Sequence, residues 1–155
     1  MADFNIAVAL TIQHEGGFVD NSADPGGATN MGIEQRDLPN VPIKTLTAAQ
    51  AVGYYRETYW KPLYSEIASQ VIANKLFDLG VLFGIGTAVK NLQGALSLYM
   101  DGAFGPVTLA AVNEADPTEL LQEFQLKMRA RAAAVAIMNP TEAVFLDGWI
   151  RRINS

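Results

Sequence analysis

Residues 4–17, FNIAVALTIQHEGG, decide how the chain begins to fold. At about 100° of rotation per residue, Phe4, Val8, Thr11 and Ile12 fall on one stripe, which predicts an amphipathic helix over 4–15. Asp3 supplies an N-cap and Gly16-Gly17 a stop. Glu15 lands on the same apolar stripe, at the helix's C-terminal end. Burial and the negative end of the helix dipole both disfavour a charged carboxylate there, and a general acid requires the protonated form. The plain alternative is a last-turn glutamate that bends outward to solvent.

Downstream, residues 16–32 (GGFVDNSADPGGATNMG) are rich in glycine and small polar residues, so they form a loop or a short twisted hairpin. The loop offers a second carboxylate from Asp20 or Asp24, and Thr29 and Asn30 carry groups able to hold a water. Two carboxylates flanking a sugar bond are the minimal equipment of a glycosidase, one protonating the leaving oxygen and one serving water or the reaction centre. Asp24-Pro25-Gly26-Gly27 is equally good turn sequence. A calcium loop starting at Asp20 fails, because Pro25 and Met31 stand where glycine and glutamate are needed. No lysine follows Gly26-Gly27, which excludes a phosphate cradle of the usual kind.

Farther along, helical periodicity predicts a mainly α chain. Helices are expected over 47–60 (capped by Thr47, ended by Pro62), 66–83 with Ile67, Val71, Leu76, Leu79 and Phe83 inward, and 87–99 through Val89, Leu92, Leu96 and Tyr99. Gly105-Pro106 opens another, Thr118 caps the longest over 118–137, and a short helix covers 142–153. Tyr54, Tyr55, Tyr59, Trp60 and Tyr64 cluster on or beside one helix. Sugars stack on such faces, which makes Tyr55, Tyr59 and Trp60 candidate substrate contacts; aromatic residues at helical spacing also build cores.

Composition narrows the chemistry. The chain has 155 residues, 50% apolar and 17% charged, which is a folded rather than a disordered profile. With no cysteine and one histidine, His14, disulfide scaffolds, thiolate metal sites and multi-histidine centres are excluded. What remains is carboxylate chemistry, or none, and no metal or cofactor is expected. The net charge of −5 argues against nucleic acid as a partner. The basic residues Lys127, Arg129, Arg131, Arg151 and Arg152 make residues 117–155 mildly basic, which reads as a solvated helix face. No run approaches the about 18 apolar residues of a membrane span, and the start of the chain lacks signal-peptide character. A monomer made in the cytosol and released by another factor is the expectation.

The string His14-Glu15-Gly16-Gly17 … Asp24-Pro25-Gly26-Gly27-Ala28-Thr29-Asn30 … Gly32-Ile33 resembles the signature of glycoside hydrolase family 108, the muramidases of phage endolysins and secretion-activator proteins. Further matches follow in order: Tyr55-Arg56 … Tyr59-Trp60-Lys61-Pro62, Phe77-Asp78 … Gly84, Asp101-Gly102 … Gly105-Pro106 … Thr108-Leu109-Ala110-Ala111, and the ending Gly148–Ile153. The resemblance implies a lysozyme-like fold that cuts the β-1,4 bond between N-acetylmuramic acid and N-acetylglucosamine in peptidoglycan glycan strands, with Glu15 as catalytic acid. By analogy with other phage lysozymes, Asp24 would steer a water or stabilise developing positive charge, and Thr29 would position the water; Asp20, Asn30, Tyr55, Tyr59 and Trp60 would meet the sugar. Residues 91–155 resemble a peptidoglycan-binding region, expected to pack on a catalytic region over 1–90 as one globule. Family members often carry Asn-Ser-Gly after the Phe-Asp pair, where this chain has Leu82-Phe83-Gly84. Rival readings are a lytic transglycosylase on the same substrate, a non-catalytic wall-binding or secretion-assisting module, and a helical interaction protein.

Overall fold

The computed structural model describes residues 1–20 and 28–155. Its first helix, α1 (Phe4–Glu15), begins where Asp3 Oδ1 accepts from the Asn5 amide at 2.7 Å and ends at Gly16, whose φ of 76° suits glycine. Phe4, Ala7, Val8 and Thr11 are its buried face. A small antiparallel hairpin follows, β1 (Thr29–Asn30) and β2 (Ile33–Glu34), paired Thr29 to Glu34 and Asn30 to Ile33. Val19 adds a bridge to Thr29. The two turn residues, Met31 (φ 48°) and Gly32 (φ 75°), are both left-handed, as a type I′ turn demands.

Helix α2 (Ala48–Tyr59) starts in a capping box between Thr47 and Gln50. A 3-10 turn over Pro62–Glu66 then leads to α3 (Gln70–Phe83), capped by Ser69. The helix expected over 66–83 therefore starts four residues later, at Gln70, where Ser69 caps it after the 3-10 turn. Val71, expected inward, is 54% exposed; Ile72 takes the buried position beside Leu76 and Leu79. Gly84 (φ 87°) makes a one-residue break before α4 (Ile85–Ala95). The helix ends earlier than its apolar pattern implied, and Tyr99 stands 88% exposed in the following loop.

The C-terminal part comprises α5 (Pro106–Glu114), α6 (Pro117–Met138), a 3-10 turn over Ala143–Phe145 and α7 (Leu146–Asn154). The cap of α6 is Asp116, accepting from Thr118 and Glu119 amides, since Pro117 already holds a helical φ at the first position. Its buried residues Leu120, Phe124, Met128, Ala132 and Ala136 recur every fourth position, a single stripe against the core.

Helix α3 organises the whole. Its faces pack on α1, α4 and α6, while α6 in turn carries α4 and α7. One apolar cluster joins α3, α4, α6 and Ile153 of α7; a second joins α1, the hairpin, α2 and Phe77 of α3. Trp60 packs against both. Among the described residues no helix is long and apolar enough to cross a membrane.

Candidate active site

A polar cleft of about 380 Å³ opens between the end of α1, the hairpin and α2. Glu15 lies in it, with Gly32, Glu34, Arg36 and Asp37 on the hairpin side and Tyr54, Tyr55 and Tyr59 on the α2 side. The stripe that buries Phe4, Val8 and Thr11 therefore delivers Glu15 to the cleft, with 19% of its side chain exposed. The glutamate does not swing out to solvent.

Two features hold Glu15. Arg152 of α7 places Nη1 2.6 Å from Glu15 Oε1. On the opposite side the hairpin turn closes down so far that a Cβ on Gly32 would sit 2.5 Å from Glu15 Oε2 and 2.7 Å from its Cδ. Only glycine admits both the φ of 75° and this approach. The turn is itself pinned, because the Tyr55 hydroxyl donates to the Met31 carbonyl at 2.7 Å.

Behind Glu15 sits a buried charge network. Arg152 donates from Nε to Asp78 Oδ2 and from Nη2 to Asp78 Oδ1, both at 3.0 Å, a two-pronged ion pair. Thr11 donates to Asp78 Oδ1 at 2.9 Å, and His14 Nδ1 lies 3.2 Å from the same oxygen. Burial pushes the Asp78 carboxyl up, but the hydrogen bonds and charge of Arg152, with those of His14 and Thr11, outweigh it and hold it below the usual carboxylate range. Arg152 is held charged for the reciprocal reason: Asp78 and Glu15 outweigh its burial. His14 thus belongs to Asp78, at the rear of the site.

The tyrosines form the opposite wall, their ring centroids 5.8 to 6.2 Å apart. Burial, with the neighbouring Tyr59 and the Asp37 charge, pushes Tyr54 up to about 12. Burial and the charge of Glu15 raise Tyr55 further. Tyr54 and Tyr55 are thus neutral hydroxyls at neutral pH, the Tyr55 proton already engaged with the Met31 carbonyl.

The remaining candidates divide. Tyr55 and Tyr59 line the cleft. Trp60 instead sits among Phe4, Tyr64 and Phe77, its indole N–H on Ser65 Oγ at 2.9 Å. Asn30 is 8% exposed and spends its amide on the Ile43 carbonyl at 3.0 Å, so it braces the hairpin base. Thr29 is engaged in pairing with Val19 and Glu34 and does not line the cleft, nor does the exposed Asp20. Asp24 lies outside the described residues. Sequence reasoning passed over Glu34 and Asp37, whose carboxylates share the cleft with Glu15. Glu34 Oε2 stands 2.5 Å from Arg36 Nε without a directed hydrogen bond. It also passed over Asp78 and Arg152. A signal for Asp78 was present: an acid amid the apolar run of α3 is the same anomaly that marked Glu15.

Residues 8–84 match the family described as Glycosyl hydrolase 108, and residues 87–154 match a predicted peptidoglycan domain. The solved structure of SagA from Brucella abortus superposes with a TM-score of 0.79 at 32% identity, covering 97% of this chain and 89% of that one. The chain belongs to glycosyl hydrolase family 108. Its fold is lysozyme-like and mainly helical, with seven α-helices and a two-stranded hairpin after the first among the described residues. It combines a glycoside hydrolase region with a peptidoglycan-binding region. Curated proteins gave no match. Leu82 lines the cleft and Gly84 breaks the helix.

Proposed function

We propose that this chain is an N-acetylmuramidase that cleaves the β-1,4 bond between N-acetylmuramic acid and N-acetylglucosamine, with Glu15 as general acid. The observation that carries this reading is Glu15, held by Arg152 and the hairpin turn, in a polar, tyrosine-walled cleft of a family 108 fold. Glu15 transfers its proton to the glycosidic oxygen as the bond to the anomeric carbon breaks. The electron pair leaves with that oxygen, and the oxocarbenium-like sugar collapses onto a water that returns a proton to solvent or to Glu15.

Asp24 is assigned to the water by analogy with other phage lysozymes, whereas Thr29, paired in the hairpin and not lining the cleft, drops out. Tyr55 and Tyr59 are assigned to the sugar because they line the cleft, with the Tyr55 hydroxyl free only to accept, its proton being committed to the Met31 carbonyl. Trp60 and Asn30 drop out, being committed to the core and to the hairpin base. The lytic role is that of an endolysin, brought to the wall by another factor.

Mass spectrometry of soluble fragments from purified peptidoglycan tests the proposal, with wild type and Glu15→Gln side by side. The expected result is disaccharide-peptides with reducing N-acetylmuramic acid ends from the wild type alone. Wild-type-like turnover by Glu15→Gln would remove Glu15 from the mechanism. Anhydro ends would make the reaction a transglycosylation.

A further inference from the structure

Glu15 sits at the very end of α1, followed by Gly16 and Gly17, which offer no side chain to support it. The group that reaches it comes from the far end of the chain. Arg152 lies on α7, within the region that matches a peptidoglycan domain, yet its side chain is 11% exposed and its guanidinium meets Glu15 of the hydrolase region. We propose that Arg152 is a positioning residue for Glu15: it orients the carboxyl, directs its acidic proton to Oε2, and thereby makes the C-terminal region part of the hydrolytic site. This rests on the reading of Glu15 as general acid.

The geometry of the fork carries the inference. Nε and Nη2 are both committed to Asp78, which sets the plane of the guanidinium. Nη1 is left in ion-pair contact with Glu15 Oε1, 2.6 Å away. An arginine donates and cannot accept, so the oxygen facing it must keep a lone pair. The proton of a neutral Glu15 therefore resides on Oε2, the oxygen under Gly32 at the turn that borders the cleft.

The anchor of Arg152 is correspondingly rigid. Lys75 Nζ donates to the carbonyls of Arg152 and Ser155 at 3.1 and 3.0 Å, placing a cation on the last turn of α7. Gln125 donates to the Ile153 carbonyl at 2.9 Å, and Arg129 to Asn154 Oδ1 at 2.8 Å. Ile153 itself is fully buried. Two helices, α3 and α6, thus hold the turn from which Arg152 extends. An ion pair needed only to neutralise Asp78 would not require a third nitrogen on the cleft glutamate.

Replacing Arg152 alone strands the buried Asp78 charge, so the deciding variant is the double substitution Arg152→Gln/Asp78→Asn, with Arg152→Lys and the exposed neighbour Arg151→Gln beside it. Melting curves, sedimentation with purified peptidoglycan, and kcat and apparent KM for fragment release are measured on each. The double variant is expected to melt cooperatively and bind wall as the wild type does, with kcat about 100-fold lower and KM little changed. Arg152→Lys, which keeps a charge for Asp78 but loses the three-pronged geometry, should fold and fall between. Arg151→Gln should match wild type. A folded double variant with wild-type kcat would overturn the positioning role and leave Arg152 as a partner of Asp78 alone. Loss of wall binding together with kcat would overturn it as well, by assigning Arg152 to substrate affinity. Absence of soluble fragments from the wild type would instead refute the general-acid reading itself.

Discussion

Gly32→Ala offers the sharpest test of how the hairpin and Glu15 are fitted together. Two costs add at this position. An L-residue at φ 75° gives up about 1–2 kcal/mol in the left-handed region. The new methyl would also lie 2.5 Å from Glu15 Oε2 and 2.7 Å from Cδ and Cγ, all below any tolerable contact. Relief comes from turning Glu15 aside, away from its 2.6 Å partner Arg152, at about 1–3 kcal/mol by analogy with overpacked sites. The total is about 2–5 kcal/mol, and a displacement of about 1 Å at the acid would lower kcat about 100-fold. A double-mutant cycle with Glu15→Ala separates the two costs, since alanine lacks all three colliding atoms. In that background Gly32→Ala should cost only the backbone term of about 1–2 kcal/mol. Urea unfolding gives the stabilities, and fragment release from purified peptidoglycan gives the rate. Equal costs in both backgrounds, or an undiminished rate in Gly32→Ala, would refute the packing of the turn on Glu15.

Tyr55→Phe removes the hydroxyl that holds the Met31 carbonyl and should destabilise by about 1–2 kcal/mol in chemical denaturation, with slower fragment release as the turn loosens. Asp78 makes stability depend on acid. As pH falls below its ordinary value of 3.8, the unfolded chain takes up the proton first, so stability present above that pH is lost as pH drops through the depressed folded value. Melting temperature measured across that window should fall steeply in the wild type, with a shallower slope for Asp78→Asn; parallel slopes would discount the network. Asp116→Ala removes only the cap of α6 and should cost about 1 kcal/mol while leaving the rate of fragment release unchanged.

Much of the local structure was legible because it is set by neighbours in sequence. The bounds of α1 follow from Asp3, the apolar stripe and Gly16, and Thr47 announces α2. Errors arose where two local signals competed. Pro117 displaced the cap from Thr118 to Asp116, and the apolar residues beyond Ala95 continued a helical pattern after the chain had turned, leaving Tyr99 exposed. Aromatic candidates were sorted by packing alone: Tyr55 and Trp60 look alike in sequence, yet one borders the cleft and the other joins the two cores.

Sequence by itself determined that this is a mainly helical, cysteine-free chain, and it drew attention to Glu15 as a carboxylate on the apolar stripe of its helix, because helical periodicity and residue chemistry are both local properties. Only the tertiary structure decided what surrounds that glutamate. Arg152, Asp78, Gly32 and Tyr55 come from four separate elements, and their meeting depends on how α1, α3 and α7 pack. A salt bridge or a close backbone approach is a relation across space. Periodicity along one helix carries no information about which distant residue will stand against its end.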